Sequence, residues 1–195
     1  MDSDLAEAVA ALQDIFSRRG LTARFAKGDP AGVEELRKTL RIPARYRSFL
    51  TAADPVDVET ATPTERVRLF AIEKIKGEQT GPDGSDLAAI PGWRKTWIIV
   101  ARSALLGDPY FLDVSKLDAE GDCPVFSCMM GGALKPELCA SSFQQFLRIL
   151  ATSMEVATGF RNEDLDDEDE QIFREALGPK IKTIDSAALR AGHWT

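Results

Sequence analysis

The sequence predicts an α+β fold, with a central antiparallel sheet of about four to six strands flanked by N-terminal and C-terminal helices. Three observations carry this. Helical periodicity occupies both ends of the chain, while strand-like runs bunch in the middle. The connections between the clearest strands are too short for crossover helices, so those neighbours must run antiparallel. The chain has 195 residues and is 44% hydrophobic, enough to bury one substantial core. No internal repeat or long linker divides it, so residues 1–195 read as a single domain.

Residues 3–19 form the first predicted helix, with Ser3 as its cap and Leu5, Val9, Leu12, Ile15 and Phe16 on one face. Gly20 is its stop. Asp29-Pro30, a capping acid before a proline at the first helical position, opens a second helix with Val33, Leu36 and Leu40 in a stripe. Pro43 opens a short third, aligning Tyr46, Phe49 and Leu50. Residues 54–65 read as loop from their Pro, Asp and Thr content. From Arg66 to Ile72 the chain alternates, with Val67, Leu69 and Ala71 opposing Arg66, Arg68 and Phe70, as in a half-buried strand.

After a glycine-rich loop over 77–86, Trp97-Ile98-Ile99-Val100-Ala101 is a short, β-branched apolar run, the mark of a strand covered on both faces. Gly107-Asp108-Pro109 turns the chain into a strand over 110–114. Gly121-Asp122 turns it again into a strand over 124–129. Ser141 and Ser142 then cap a long helix, with Gln144 and Gln145 as capping-box partners. Its stripe is Phe143, Phe146, Leu147, Leu150 and Met154. A last long helix is expected from Asn162 to Leu177, ending at Gly178-Pro179, with one further helical turn around Ala187–Leu189.

Net charge is −7, from 31 acids against 24 bases. Seven of the acids fall in one eight-residue stretch: Glu163, Asp164, Asp166, Asp167, Glu168, Asp169 and Glu170, interrupted by Leu165. Without them the chain is balanced, which argues against a general nucleic-acid binder, since that needs a basic stripe to replace phosphate counterions, and no direct nucleic-acid partner is expected. Three cysteines, an odd number with no CxxC pair, fit a reducing compartment. An acidic N-terminus and the lack of a membrane-length apolar run complete the expectation of a cytoplasmic protein that does not engage a membrane.

Chemistry is sparse. The only histidine, His193, lies at the end of the chain and reads as a surface residue. There is no GxSxG, Walker or GxGxxG motif. Cys123, Cys128 and Cys139 lack metal spacing and read as buried thiols, so neither a metal nor a cofactor is expected. Asp164, Asp166, Glu168 and Glu175 imitate a calcium loop, but Asp169 holds the position where that loop needs glycine. The acidic run keeps two readings: acids favouring the positive end of a helix, and a patch facing a partner. Seven acids in eight residues repel one another at helical spacing, which the first reading does not explain. Asp108 and Asp113, an odd number apart, fall on opposite strand faces, and Asp108 reads as a turn residue. Trp93, Trp97, Tyr110 and Phe126 are sheet-packing aromatics by default, and otherwise a ligand or partner face.

The stretch Leu40-Arg41-Ile42-Pro43-Ala44-Arg45-Tyr46-Arg47-Ser48-Phe49-Leu50 is similar to a leucine–proline–tyrosine–phenylalanine–leucine helix known from one family. The same family has a strand, a glycine–aspartate turn and an aromatic strand resembling residues 97–101 and 106–113. Pro124-Val125-Phe126 and residues 141–147 match its later strand and helix. Together these resemble the SUKH superfamily, in its Smi–Knr-like branch, over about residues 35–150. Pro43, Tyr46, Phe49, Leu50, Gly107, Asp108, Pro109 and Asp113 are the motif positions, all structural in kind. The chain departs from the family at Thr51-Ala52-Ala53-Asp54-Pro55, where many members carry asparagine–glycine, and its acidic extension over about 160–195 lies outside the family core.

The resemblance implies an α+β domain without catalytic residues. It implies an immunity-type protein that occludes the active site of a polymorphic toxin, such as a basic nuclease or a deaminase. A cell-wall-regulator-like role, scaffolding or small-ligand binding is the alternative.

Overall fold

The computed structural model describes residues 1–81, 83–131, 133–160 and 167–194. The first helix, α1 (Ser3–Arg18), buries Leu5, Val9, Leu12, Ile15 and Phe16 as its periodicity requires. Its cap is Asp2 rather than Ser3. The Asp2 carboxylate accepts the Leu5 N–H at 3.0 Å, and Ser3 is already helical. Strand β1 (Arg24–Ala26) follows, then α2 (Pro30–Leu40), capped by Asp29, and α3 (Ala44–Ala53), which starts directly after Pro43. The expected loop after α3 begins as strand β2 (Asp54–Val56), antiparallel to β1. Pairs of three-residue strands carry too little alternation to register in sequence.

The main sheet has five strands in meander order: β3 (Val67–Leu69), β4 (Trp97–Ser103), β5 (Pro109–Asp113), β6 (Val125–Ser127) and β7 (Glu137–Ala140). All neighbours are antiparallel, so the α+β expectation holds. The alternation assigned to residues 66–72 fails at Phe70, which is buried. The chain leaves the sheet there and turns into the short helix α4 (Ile72–Ile75). The Ile72 N–H donates to the Asp54 carboxylate at 2.8 Å.

Helix α5 (Phe143–Ala157) lies on one sheet face, with Tyr110 against Phe146 at 5.4 Å, and α1 packs along α5. Tyr46 and Phe49 of α3 meet Phe143 edge-on at 4.9 and 5.1 Å. Three N–H groups at the start of α5 are satisfied. The Ser142 hydroxyl accepts from Gln145 at 3.1 Å, and the fully buried Asp122 carboxylate accepts from Phe143 at 2.9 Å and Gln144 at 3.2 Å. Arg45 stands beside it, 3.7 Å from Asp122, with Glu120 and Asp2 also within ion-pair range. Of the four residues expected to cap α5, Ser142 does so with Gln145. Ser141 instead serves Asp185, and Gln144 accepts from Arg45.

Helix α6 (Asp167–Ile184) does not stop at Gly178-Pro179 as expected but runs through it. An interior proline costs about 3 kcal/mol. Phe173, Leu177 and Ile181, one turn apart and all buried, each gain about 1.5–3 kcal/mol from burial. Their stripe bridges the proline and outweighs it. Ile172 and Ala176, each next to a stripe residue in sequence, are exposed. The last helix, α7 (Ser186–Ala191), is capped by Asp185 and packs on β7. No helix among the described residues is long and apolar enough to cross a membrane.

Candidate functional site

Of the acidic run, Glu163, Asp164 and Asp166 lie outside the described residues. Asp167 is the first residue of α6, and Glu168, Asp169 and Glu170 follow in its first turn, where the helix dipole favours negative charge. One turn further on, Arg174 stands close enough to His193 to oppose protonation of its imidazole.

The four candidate aromatics do not share a face. Trp93, Trp97 and Phe126 lie on the sheet face away from α5, joined through Phe111. Trp97 stacks on Phe111 at 4.7 Å, Phe111 on Phe126 at 6.1 Å, and Trp93 meets Trp97 edge-on at 5.3 Å. Tyr110 is fully buried on the opposite face, as strand alternation next to Phe111 demands. Cations cover the outer face: the Arg94 guanidinium is 5.4 Å from the Trp97 ring and the Lys116 ammonium 4.6 Å from that of Phe126.

The motif positions are structural. Pro43 precedes α3, and Tyr46, Phe49 and Leu50 are core. Gly107 adopts φ +77°, a left-handed turn position that a side chain would strain. Pro109 begins β5. Asp108 is more than a turn residue: its carboxylate accepts the Met130 N–H at 3.0 Å, joining the β4–β5 turn to the β6–β7 loop. Asp113 is buried and accepts from the Ser115 hydroxyl at 2.6 Å. Burial raises its pKa, but the Ser115 bonds outweigh this, and it titrates below the usual carboxylate range.

His193 is not a surface residue. It packs edge-on against Tyr110, and its Nε2 lies 3.1 Å from the Tyr110 hydroxyl. Burial, with Arg174 adding to it, pushes its pKa down to about 4, so the ring is neutral at pH 7. Glu65 interacts with the Tyr110 and Ser103 hydroxyls, and burial raises its pKa. Burial also pushes the Tyr110 phenol well up. The next residue, Trp194, donates its indole N–H to the Cys139 carbonyl at 2.8 Å. These contacts fasten the C-terminus to the sheet. The expectation of a surface histidine rested on position in the chain, which does not register that Trp194 inserts beside it.

The same end of the sheet carries a feature that sequence reasoning passed over. Leu105, Leu106 and Met129 are 57, 75 and 77% exposed. Leu105 and Leu106 sit on a turn pinned by the Ser103 hydroxyl, which accepts the Leu106 N–H at 3.0 Å, and by Arg102, which donates to the Gly107 carbonyl at 2.9 Å. The Asp108–Met130 bond holds Met129 at the same edge. Behind this lip is a cavity of about 480 Å³ lined by Asp108, Cys128, Lys135, Glu137 and His193. The available signal was two leucines placed directly before a glycine–aspartate turn, where the core does not need them.

All three thiols are buried and unpaired, as expected. Burial pushes Cys123 up to about 12 and Cys128 up to about 11. Among the described residues, no three His, Cys, Asp or Glu side chains group as metal ligands. The chain matches no known protein-family model, and no curated protein matches it as a relative.

Proposed function

We propose that this chain is a non-enzymatic protein-binding domain of the SUKH, Smi–Knr-like kind, acting in the cytoplasm as an immunity-type protein. In this reading it occludes the active site of a basic toxin of the nuclease or deaminase type. The observation that carries the reading is the lip of Leu105, Leu106 and Met129, more than half exposed on a hydrogen-bonded turn. Large apolar side chains held in water on a rigid support suit a desolvating contact with another protein, because little ordering cost remains to be met on binding. The acidic first turn of α6 supplies complementary charge for a basic partner and speeds encounter. The three unpaired buried thiols favour a reducing compartment.

The test is affinity capture from the native host with the wild-type chain and with Leu106→Asp/Met129→Asp. Both positions are exposed, so the variant keeps its core. The reading expects a protein retained in stoichiometric amount by the wild type and lost from the variant. No retained protein, or equal retention by a folded variant, overturns it.

A further inference from the structure

At the opposite end of β4 from the lip, about 20 Å away at the strand rise per residue, a second cavity opens between the α2–α3 junction and the outer sheet face. Its volume is about 530 Å³, and its walls include Trp93, Trp97, Leu40, Leu87, Arg41 and Lys95. We propose that this cavity binds a nucleoside monophosphate, its base laid against Trp93 and its phosphate held by Arg41 and Lys95.

Size and wall chemistry come first. The volume falls within the roughly 300–1,000 Å³ of small-molecule sites, which are mostly apolar with a few placed polar groups. Trp93 is half-buried, held edge-on to Trp97 and tilted on Phe111 at 5.2 Å, so part of a fixed indole is left uncovered. A fixed aromatic ring is the usual platform for a nucleobase.

The charge is the second argument. Although the whole chain carries −7, the cavity wall holds two cations, Arg41 and Lys95, against one carboxylate, Asp86. Arg41 and Lys95 line it and Arg94 sits over Trp97, and none of the three pairs with a carboxylate among the described residues. The other polar wall residues are already engaged. Asp86 accepts the Ala88 N–H at 2.9 Å, the Thr39 hydroxyl donates to the Glu35 carbonyl at 2.8 Å, and the Gln79 amide bonds both the N–H and the carbonyl of Ile99. What meets a ligand is an aromatic surface and two cations that outnumber the capping Asp86 carboxylate, which matches a flat ring joined to an anion. Arg41 also holds a left-handed backbone, φ 56°, at the end of α2, where glycine or asparagine is the usual residue. The backbone gains nothing from arginine there.

The indole N–H signals of Trp93, Trp97 and Trp194 offer a direct NMR readout, with Trp194, buried beside Phe146 on the other sheet face, as an internal control. Titration of the full chain with AMP, GMP, CMP and UMP is expected to shift Trp93 and Trp97 saturably for at least one of them, and to leave Trp194 in place. For that nucleotide, the matching nucleoside and inorganic phosphate each bind at least about tenfold more weakly, since each carries half of the recognised chemistry. Arg41→Gly/Lys95→Ala removes both cations while relieving the left-handed position. It is expected to weaken monophosphate binding at least about tenfold and leave nucleoside binding unchanged. The proposal is overturned by no saturable shift up to about 10 mM of any monophosphate, by affinity unchanged in the double variant, or by shifts produced only by an oligonucleotide.

Discussion

Replacing Asp185 by alanine is expected to destabilise the whole protein and not merely loosen its tail. The Asp185 carboxylate is 5% exposed and accepts four hydrogen bonds: from the Ser141 N–H at 2.5 Å, the Ser141 hydroxyl at 3.0 Å, and the Ala187 and Ala188 N–H groups at 3.0 Å each. It thus caps α7 and at the same time clamps the junction between β7 and α5. Losing a cap costs about 1 kcal/mol. Losing the Ser141 N–H bond to a charged acceptor costs about 1.5–3 kcal/mol. The Ser141 hydroxyl is exposed and can turn to water, so it adds little. Together these come to about 2.5–4 kcal/mol, against a total stability of about 5–15 kcal/mol for a domain. At about 2–4 °C per kcal/mol for a chain of this length, Tm falls by roughly 5–16 °C. Urea denaturation followed by near-ultraviolet circular dichroism reads this as one cooperative transition at a lower midpoint with an unchanged slope. A loss below about 1 kcal/mol would mean that Asp185 does not clamp β7 to α5. So would a separate early transition of residues 167–194 that leaves the rest of the chain at the wild-type midpoint.

Three further outcomes follow from the buried groups. His193 has its folded pKa lowered from 6.5 to about 4, so the unfolded chain takes up the proton first. Stability is therefore full above pH 6.5, falls as pH drops through the window to about 4, and loses about 3 kcal/mol in all. His193→Gln, compared by urea denaturation from pH 7 to 4, should remove that part of the slope. Asp122→Ala leaves the Cys123, Phe143 and Gln144 N–H groups without their acceptor and removes one of the three carboxylates around Arg45. It should cost about 3–5 kcal/mol by the same assay, with Asp122→Asn milder because one acceptor oxygen remains. The thiols of Cys123, Cys128 and Cys139 are buried with raised pKa, so at pH 8 a thiol reagent should leave the native protein essentially untouched and titrate three groups in denaturant.

Elements long enough to repeat a period were legible in the sequence: α1, α5 and β4 bury the residues that their spacing assigns. What escaped was local structure set by distant partners. Strands β1 and β2 are three residues each and exist because they pair with each other. Strand β7 follows a proline and begins with an exposed glutamate, so its burial pattern emerges only against β6 and α7. Pro179 signalled a helix end, yet the Phe173–Leu177–Ile181 stripe carries α6 across it, a case of tertiary packing overriding local preference. The aromatic face was half legible. Strand parity separates Tyr110 from Phe111, but grouping aromatics by type placed Tyr110 with the wrong neighbours. His193 was misread because one residue next to a chain end gives no periodicity to interpret, and its burial depends on Tyr110, 83 positions away.

The proposed binding role rests on the Leu105–Leu106–Met129 edge. The most direct measurement is calorimetric titration of the captured partner with the purified wild-type chain and with Leu106→Asp/Met129→Asp, after circular dichroism shows both to be folded. The variant is expected to bind at least about 30-fold more weakly, the scale of losing an interface hot spot of about 2 kcal/mol. Equal affinity for the two proteins would contradict it.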